Sequence, residues 1–248
     1  MAVHKLSSNF FQSFNVDWPC PECGQLTLQI EKDSFRDEAT ADTRKCSQED
    51  WFEPDMSRYI FTCIARCSRP SCGEVVACQG KSRWVEDPDP FAEQQQYYKC
   101  FTPLSFFHPL HPFVLPNMCP EKITAPLTGA FSVFLMQPGA AANLIRIGVE
   151  RLLTAMGVPE NKKESLHQRL KNLSPPYDHY RERLMAIKFL GNDVSHNYDG
   201  VNVDDIEVAF GIMEHTLSEL FSGRKEDIEI LTKRLNDKFQ PGKPREEE

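Results

Sequence analysis

Two short cysteine loops, each closed by a glycine, constrain this chain more than any other feature. The first is Trp18-Pro19-Cys20-Pro21-Glu22-Cys23-Gly24, and the second is Arg66-Cys67-Ser68-Arg69-Pro70-Ser71-Cys72-Gly73. A Cys-x-x-Cys turn lets two thiolates reach one tetrahedral ion while backbone amides face the sulfurs. The second loop has four intervening residues instead of two. It lies between an alternating strand pattern through Tyr59, Phe61, Cys63 and Ala65 and an outgoing strand from Glu74 to Gln79.

A paired-cysteine turn, a long connection and a second paired turn between two strands is the layout of a zinc ribbon. Cys20, Cys23, Cys67 and Cys72 are therefore assigned as a four-thiolate site for Zn2+. With every position filled by protein, the ion has no open place for substrate, so its role is structural and not catalytic. Zinc binding on the order of 10 kcal/mol exceeds what so small a ribbon gains from its own core. The other cysteines lack this spacing. Cys63 and Cys78 read as small apolar strand residues, with the substitution of one of them for a chosen ligand left open.

The formal charge of -8 over 248 residues argues against broad adhesion to nucleic acid, which requires Lys and Arg to neutralise phosphates. It leaves room for a local basic patch. No apolar run approaches the roughly eighteen residues of a membrane span, and Met1-Ala2-Val3-His4-Lys5 lacks the apolar core of a signal peptide. A cytoplasmic protein with no membrane partner is expected. In that compartment nine cysteines are not disulfide-paired, which again favours metal binding.

Four segments follow from the chain's organisation. Residues 1–85 form the zinc-ribbon domain with an N-terminal leader, and within it Glu31 to Pro54 reads as an inserted loop or weak hairpin. Residues 86–126 hold eight prolines, a density that forbids a helix and disfavours a central strand. They read as an extended connector, packed down by Tyr97, Tyr98, Phe101, Phe106, Phe107 and Phe113. His108 and His111 belong to it as non-ligands. Residues 127–240 show helical periodicity, and 241–248 are a charged tail.

Within the helical part, one pattern ends at Gly157 and Pro159, a second at Ser174-Pro175-Pro176, a third runs from Tyr177 to His196, a fourth begins near Asn202, and a last spans Lys225 to Phe239. Helices joined by short turns, each with one apolar stripe, make an antiparallel bundle. The fold class is thus α+β, a small β ribbon followed by helices. On the third helix, Lys188, Asn192 and His196 recur every four residues and form one polar stripe. Phe189 and Leu190 read as the apolar face that fixes it. His196 either serves a site or caps the helix end before Asn197-Tyr198-Asp199-Gly200.

The order of these features, namely cysteine loops, proline-rich connector, Arg146-x-x-x-Glu150 and Gly191-Asn192-x-x-x-His196, resembles the bacterial domain-of-unknown-function 4145 family over about Trp18 to Phe221. That family belongs to the HEPN group of helical bundles, whose members occur in restriction and other anti-phage systems. The resemblance implies an HEPN-like bundle, a defence role, a homodimer, and a partner protein or RNA or DNA. Active HEPN ribonucleases carry Arg-Asn-x-x-x-His and cut RNA without metal. Here Asn192 and His196 match, while Gly191 stands where arginine would hold phosphate.

Two functions are expected from this. One is a non-catalytic interaction or regulatory protein, favoured by Gly191 and the acidic charge. The alternative is a metal-independent endoribonuclease, with His196 transferring protons, Asn192 orienting, and Lys188 or Arg146 supplying the cation.

Overall fold

The computed structural model describes residues 3–86, 96–161, 163–196 and 200–239, with the side chains of residues 192–196 and 224–227 outside that description. The chain is mixed α+β. Strands β1 (Leu28–Ile30), β2 (Arg36–Ala39), β3 (Tyr59–Cys67), β4 (Val75–Glu86) and β5 (Tyr97–Phe107) form one sheet, with helix α1 (Ala41–Cys46) between β2 and β3. The strand order is β1-β3-β4-β5, all antiparallel, and β2 shares β3 with β1. Six helices follow: α2 (Glu121–Val133), α3 (Pro138–Ala155), α4 (Leu166–Lys171), α5 (Arg181–His196), α6 (Val203–Phe221) and α7 (Arg224–Phe239).

The period-two pattern of β3 sends Phe61, Cys63 and Ala65 inward and leaves Ile60 and Thr62 exposed. The inward face meets an aromatic cluster from the N-terminal segment. Phe10 stacks on Phe101 at 5.2 Å and meets Trp18 and Phe61 edge-on at 5.5 Å. Gly80 is required where β4 passes β5 at a bulge, because a Cβ there would lie 2.6 Å from the Phe61 ring and closer still to the Thr102 carbonyl. At the far end of the same face, Lys99 lies against Asp37 and under the Tyr59 ring at 3.4 Å, while Ser82 donates to Asp37 at 2.6 Å. This half-buried contact fastens the short polar strand β2 to the rest of the sheet.

Three expectations from sequence are corrected. The stretch between Glu31 and Pro54 is neither plain loop nor hairpin, since it holds β2 and α1. The proline-rich stretch supplies strand β5, at the sheet edge, where the missing N–H of Pro103 is tolerated. Helix α2 begins inside it and contains Pro126. An interior proline costs roughly 3 kcal/mol. Burial of Ile123, Leu127 and Phe131, each four residues from the next, at about 1.5–3 kcal/mol each, outweighs that cost. The pair Asp87-Pro88-Asp89-Pro90, the turn at 197–199 and the tail from 240 lie outside the described residues.

Sheet and helices share one contiguous buried cluster. Phe113 enters it edge-on to Phe131 at 5.2 Å, and Phe131 meets Phe210 at 5.1 Å, so the segment after β5 joins α2 to α6. Helix α3 is the centre of the helical part and packs against α2, α4, α5 and α6. The capping boxes of Ser165 with Gln168 and of Asn202 with Asp205 start α4 and α6. Among the described residues no helix is long and apolar enough to cross a membrane.

Candidate metal centre and helical site

The first cysteine loop folds back on itself because the Cys20 amide donates to Gln25 O and the Gly24 amide to Cys20 O, both at 2.8 Å. Gly24 has φ +67°, which only a residue without Cβ adopts freely. The second loop repeats the device. The Cys72 and Gly73 amides donate to Arg69 O at 3.0 and 3.1 Å, Gly73 has φ +65°, and the Cys67 amide donates to Glu74 O at 2.8 Å. The Ser68 amide donates to Thr27 O at 2.8 Å and sets one loop against the other.

Four sulfurs converge as a result. Cys20, Cys23, Cys67 and Cys72 Sγ all lie within 4.8 Å of one another, with Cys20 to Cys72 at 3.6 Å and Cys23 to Cys67 at 3.8 Å. This cluster can hold a metal ion. Four thiolates placed tetrahedrally at about 2.3 Å from one ion are separated by roughly 3.8 Å, which the two measured spacings match. Cys20 and Cys67 are buried, whereas Cys23 and Cys72 are half-buried, so the cluster sits at the surface end of the core.

The polar surroundings suit thiolates unequally. Burial pushes the Cys20 thiol up to about 12, against the amides of Cys23 and Glu22, which favour its ionised form. Cys23 is drawn down to about 6, first by the Gln25 amide and then, against burial, by the Thr27 hydroxyl and Cys20. At Cys67 burial is the largest influence and acts upward, yet the Thr27 hydroxyl at 3.1 Å and the Arg69 amide bring the thiol below its ordinary value. A divalent ion ionises all four by coordination. Thr27 is a contributor that sequence reasoning missed. Its only signal was its place between the first loop and β1.

Cys63 and Cys78 stand opposite each other in the β3–β4 register, buried and outside the four-sulfur cluster. Burial and the Cys63 thiol push Cys78 upward, which keeps it a neutral thiol. His111 packs 5.2 Å from the Phe131 ring, and burial lowers its pKa.

The helical residues come together only in part. Gly191 is buried where α5 meets α3, and a Cβ there would lie 3.0 Å from Arg146 Cδ and 3.2 Å from Arg146 Cβ. The Arg146 stem thus fills the space of a side chain at 191. Its Nη1 donates to Glu150 Oε1 at 2.6 Å, and its Nε and Nη2 donate to Asn143 Oδ1 at 3.3 and 3.2 Å. Lys188 Nζ rests 4.4 Å from the Phe189 ring. Phe189 is not part of the buried face. It is 55% exposed, because α5 buries Leu184, Ile187 and Gly191, spaced three and four apart. Leu190 packs at the core's margin. The side chains of Asn192 and His196 lie outside the described residues.

A third polar feature was invisible in sequence. Arg169, 3% exposed, donates from Nη2 to Glu150 O at 3.1 Å, Val158 O at 2.8 Å and Thr154 Oγ1 at 3.1 Å, closing the C-terminal end of α3.

The fold and cluster define a chain of two parts, a cysteine-centred antiparallel sheet and a set of helices arranged around α3. Residues 8–109 match the family model of a domain of unknown function, DUF8608, and residues 128–239 that of a second, DUF4145. The second match falls on the helical part, so the resemblance read from Trp18 onward divides between two families. No curated protein and no solved structure matches the chain.

Proposed function

We propose that this chain is a zinc-stabilised, HEPN-like protein that acts by binding and not by catalysis. In this reading, Zn2+ held by Cys20, Cys23, Cys67 and Cys72 closes a zinc ribbon. Four sulfur donors within 4.8 Å of one another, two of their spacings at 3.6 and 3.8 Å, and amides that favour the ionised Cys20 support this reading, and four thiolates would leave the ion no open position. The helical part is an HEPN-like bundle that works in the cytoplasm as a homodimer or docks on a partner of a bacterial defence system.

The observation that carries the non-catalytic reading is the state of Arg146. Gly191 removes the arginine expected there, and Arg146, whose stem packs against it, has its guanidinium committed to Glu150 and Asn143. A cation whose charge is neutralised by a carboxylate at 2.6 Å is poorly placed to stabilise developing phosphate charge. Lys188 lacks the bidentate fork and rests on Phe189.

The test is incubation of mixed RNA with wild type and His196→Ala protein, in the presence of chelator. Intact RNA in both is expected. Cleavage that persists in chelator and vanishes in His196→Ala overturns this reading in favour of a metal-independent endoribonuclease using His196 and Asn192. Zinc content measured by elemental analysis checks the ribbon separately. Zinc retained in full by Cys67→Ser means that the ligand set is wrong.

A further inference from the structure

The outer face of the sheet, opposite the aromatic core, has an ordered gradient of chemistry that the cysteine centre and the helices leave unused. Cross-strand register sets its rows. Ile64, Ala77 and Phe107 lie side by side, then Thr62, Gln79 and Ser105, then Ile60, Lys81 and Thr102, and beyond them Arg83 opposite Cys100. One end is apolar with an aromatic ring 72% exposed, the middle offers an amide and two hydroxyls, and the other end is cationic. A cavity of about 270 Å³ runs over the first two rows.

The charge on this face opposes that of the whole chain. Strand residues facing outward include Arg36, Arg66, Lys81 and Arg83 against Glu38, in a chain of formal charge -8. Arg66 is paired with Glu31, and Arg36 donates to backbone carbonyls. Lys81 and Arg83 are exposed and make no ion pair among the described residues. Two uncommitted cations on one strand, continuous with a polar row and an exposed aromatic, complement a ligand that carries phosphate, hydrogen-bonding edges and a flat ring in sequence. Proteins meet single-stranded nucleic acid with this combination of cationic groove and stacking ring.

We infer that the outer face of β3, β4 and β5 binds single-stranded nucleic acid. Lys81 and Arg83 contact phosphates, Thr62, Gln79 and Ser105 hydrogen-bond along the strand, and Phe107 stacks on a base. From residue 77 to residue 83, β4 advances about 20 Å, which suits a footprint on the order of four nucleotides, the short end of sheet platforms. Duplex is disfavoured because its bases present no open face to Phe107. The inference rests on reading the chain as a binding protein and names its partner class.

The experiment is fluorescence anisotropy with the full chain, zinc-loaded, against labelled 12-nucleotide oligouridine, oligothymidine and a 12-base-pair duplex. The DNA oligonucleotide has no 2′-hydroxyl, so binding is measured even if RNA is cut. Both single strands are expected to bind at 50 mM salt, more tightly than duplex and more weakly at 200 mM. Phe107→Ala is expected to weaken binding roughly tenfold, the scale of one lost base stack. Lys81→Glu with Arg83→Glu should weaken it further and flatten the salt dependence. No binding to either single strand, preference for duplex, or unchanged affinity in both variants with zinc content and helicity intact overturns the inference. RNA left whole but unbound refutes this face alone. RNA cleaved through His196 refutes the non-catalytic reading alone.

Discussion

Gly191 and Arg146 behave as one packing unit split across two helices. A glycine within a helix costs roughly 1 kcal/mol relative to alanine, so its presence in α5 needs a gain elsewhere. That gain is the room for the Arg146 stem, which approaches to 3.0 Å of where a Cβ would be. Gly191→Leu is expected to destabilise the chain by about 1–3 kcal/mol through overpacking. Adding Arg146→Ala should recover a large part of that loss, because the two side chains compete for one space. Urea titration of the four members of the cycle checks this, and strict additivity would show that they do not compete. Sequence placed Arg146 as a candidate cation and Gly191 as the position where an arginine is missing, with nothing to join them. The contact between them depends on how α3 crosses α5, a distance that no local pattern encodes. The cysteine cluster was legible for the opposite reason, since each pair sits inside one short loop whose glycine fixes its shape.

At the scale of the element, the end of α3 is held by a residue on another helix. Backbone amides of Met156, Val158 and Gly157 take the carbonyls of Leu152, Leu153 and Thr154, and Arg169 from α4 ties the last turns to the following segment by donating to Glu150 O and Val158 O. Arg169→Met keeps much of the apolar stem but removes these donors from a buried site. A loss of about 2–4 kcal/mol is expected by chemical denaturation. A loss under roughly 0.5 kcal/mol would mean that water replaces the guanidinium. The segment between β5 and α2 makes a second prediction through His111, whose burial lowers its pKa below the usual 6.5. The unfolded chain therefore binds this proton more readily, so the contribution is present above pH 6.5 and fades as pH falls through the lower folded value. Thermal stability should decline from pH 7 toward pH 5, and His111→Phe should make that decline shallower; equal slopes would remove His111 from the account. Sequence read this segment as a connector because eight prolines were counted against regular structure. Position decides their effect. Pro103 lies on an edge strand, and Pro126 in α2 loses one hydrogen bond where three large side chains gain burial.

For the whole molecule, the question is whether the cysteine centre acts on the sheet alone. The buried cluster continues from Trp18 and Cys20 through Phe106 and Leu110 to Phe113, Phe131 and Phe210, without a polar break. Trp18 is edge-on to Phe106 at 4.9 Å, next to the first cysteine loop, and Phe113 reaches the helices. Loosening the loops therefore exposes apolar surface shared with α2 and α6. A ligand that binds only the folded state stabilises every element that unfolds with its site. Stripping zinc-loaded protein with a strong chelator is then expected to lower the melting temperature of the helices as well as that of the sheet. The check is to follow near-ultraviolet circular dichroism, which reports Trp18 and its neighbours, alongside the helical signal at about 222 nm. Coincident transitions that shift together on chelation are the expected result. A helical transition unmoved by chelation, with the aromatic signal lost early, would show that Phe113 and Leu110 join two separately stable cores.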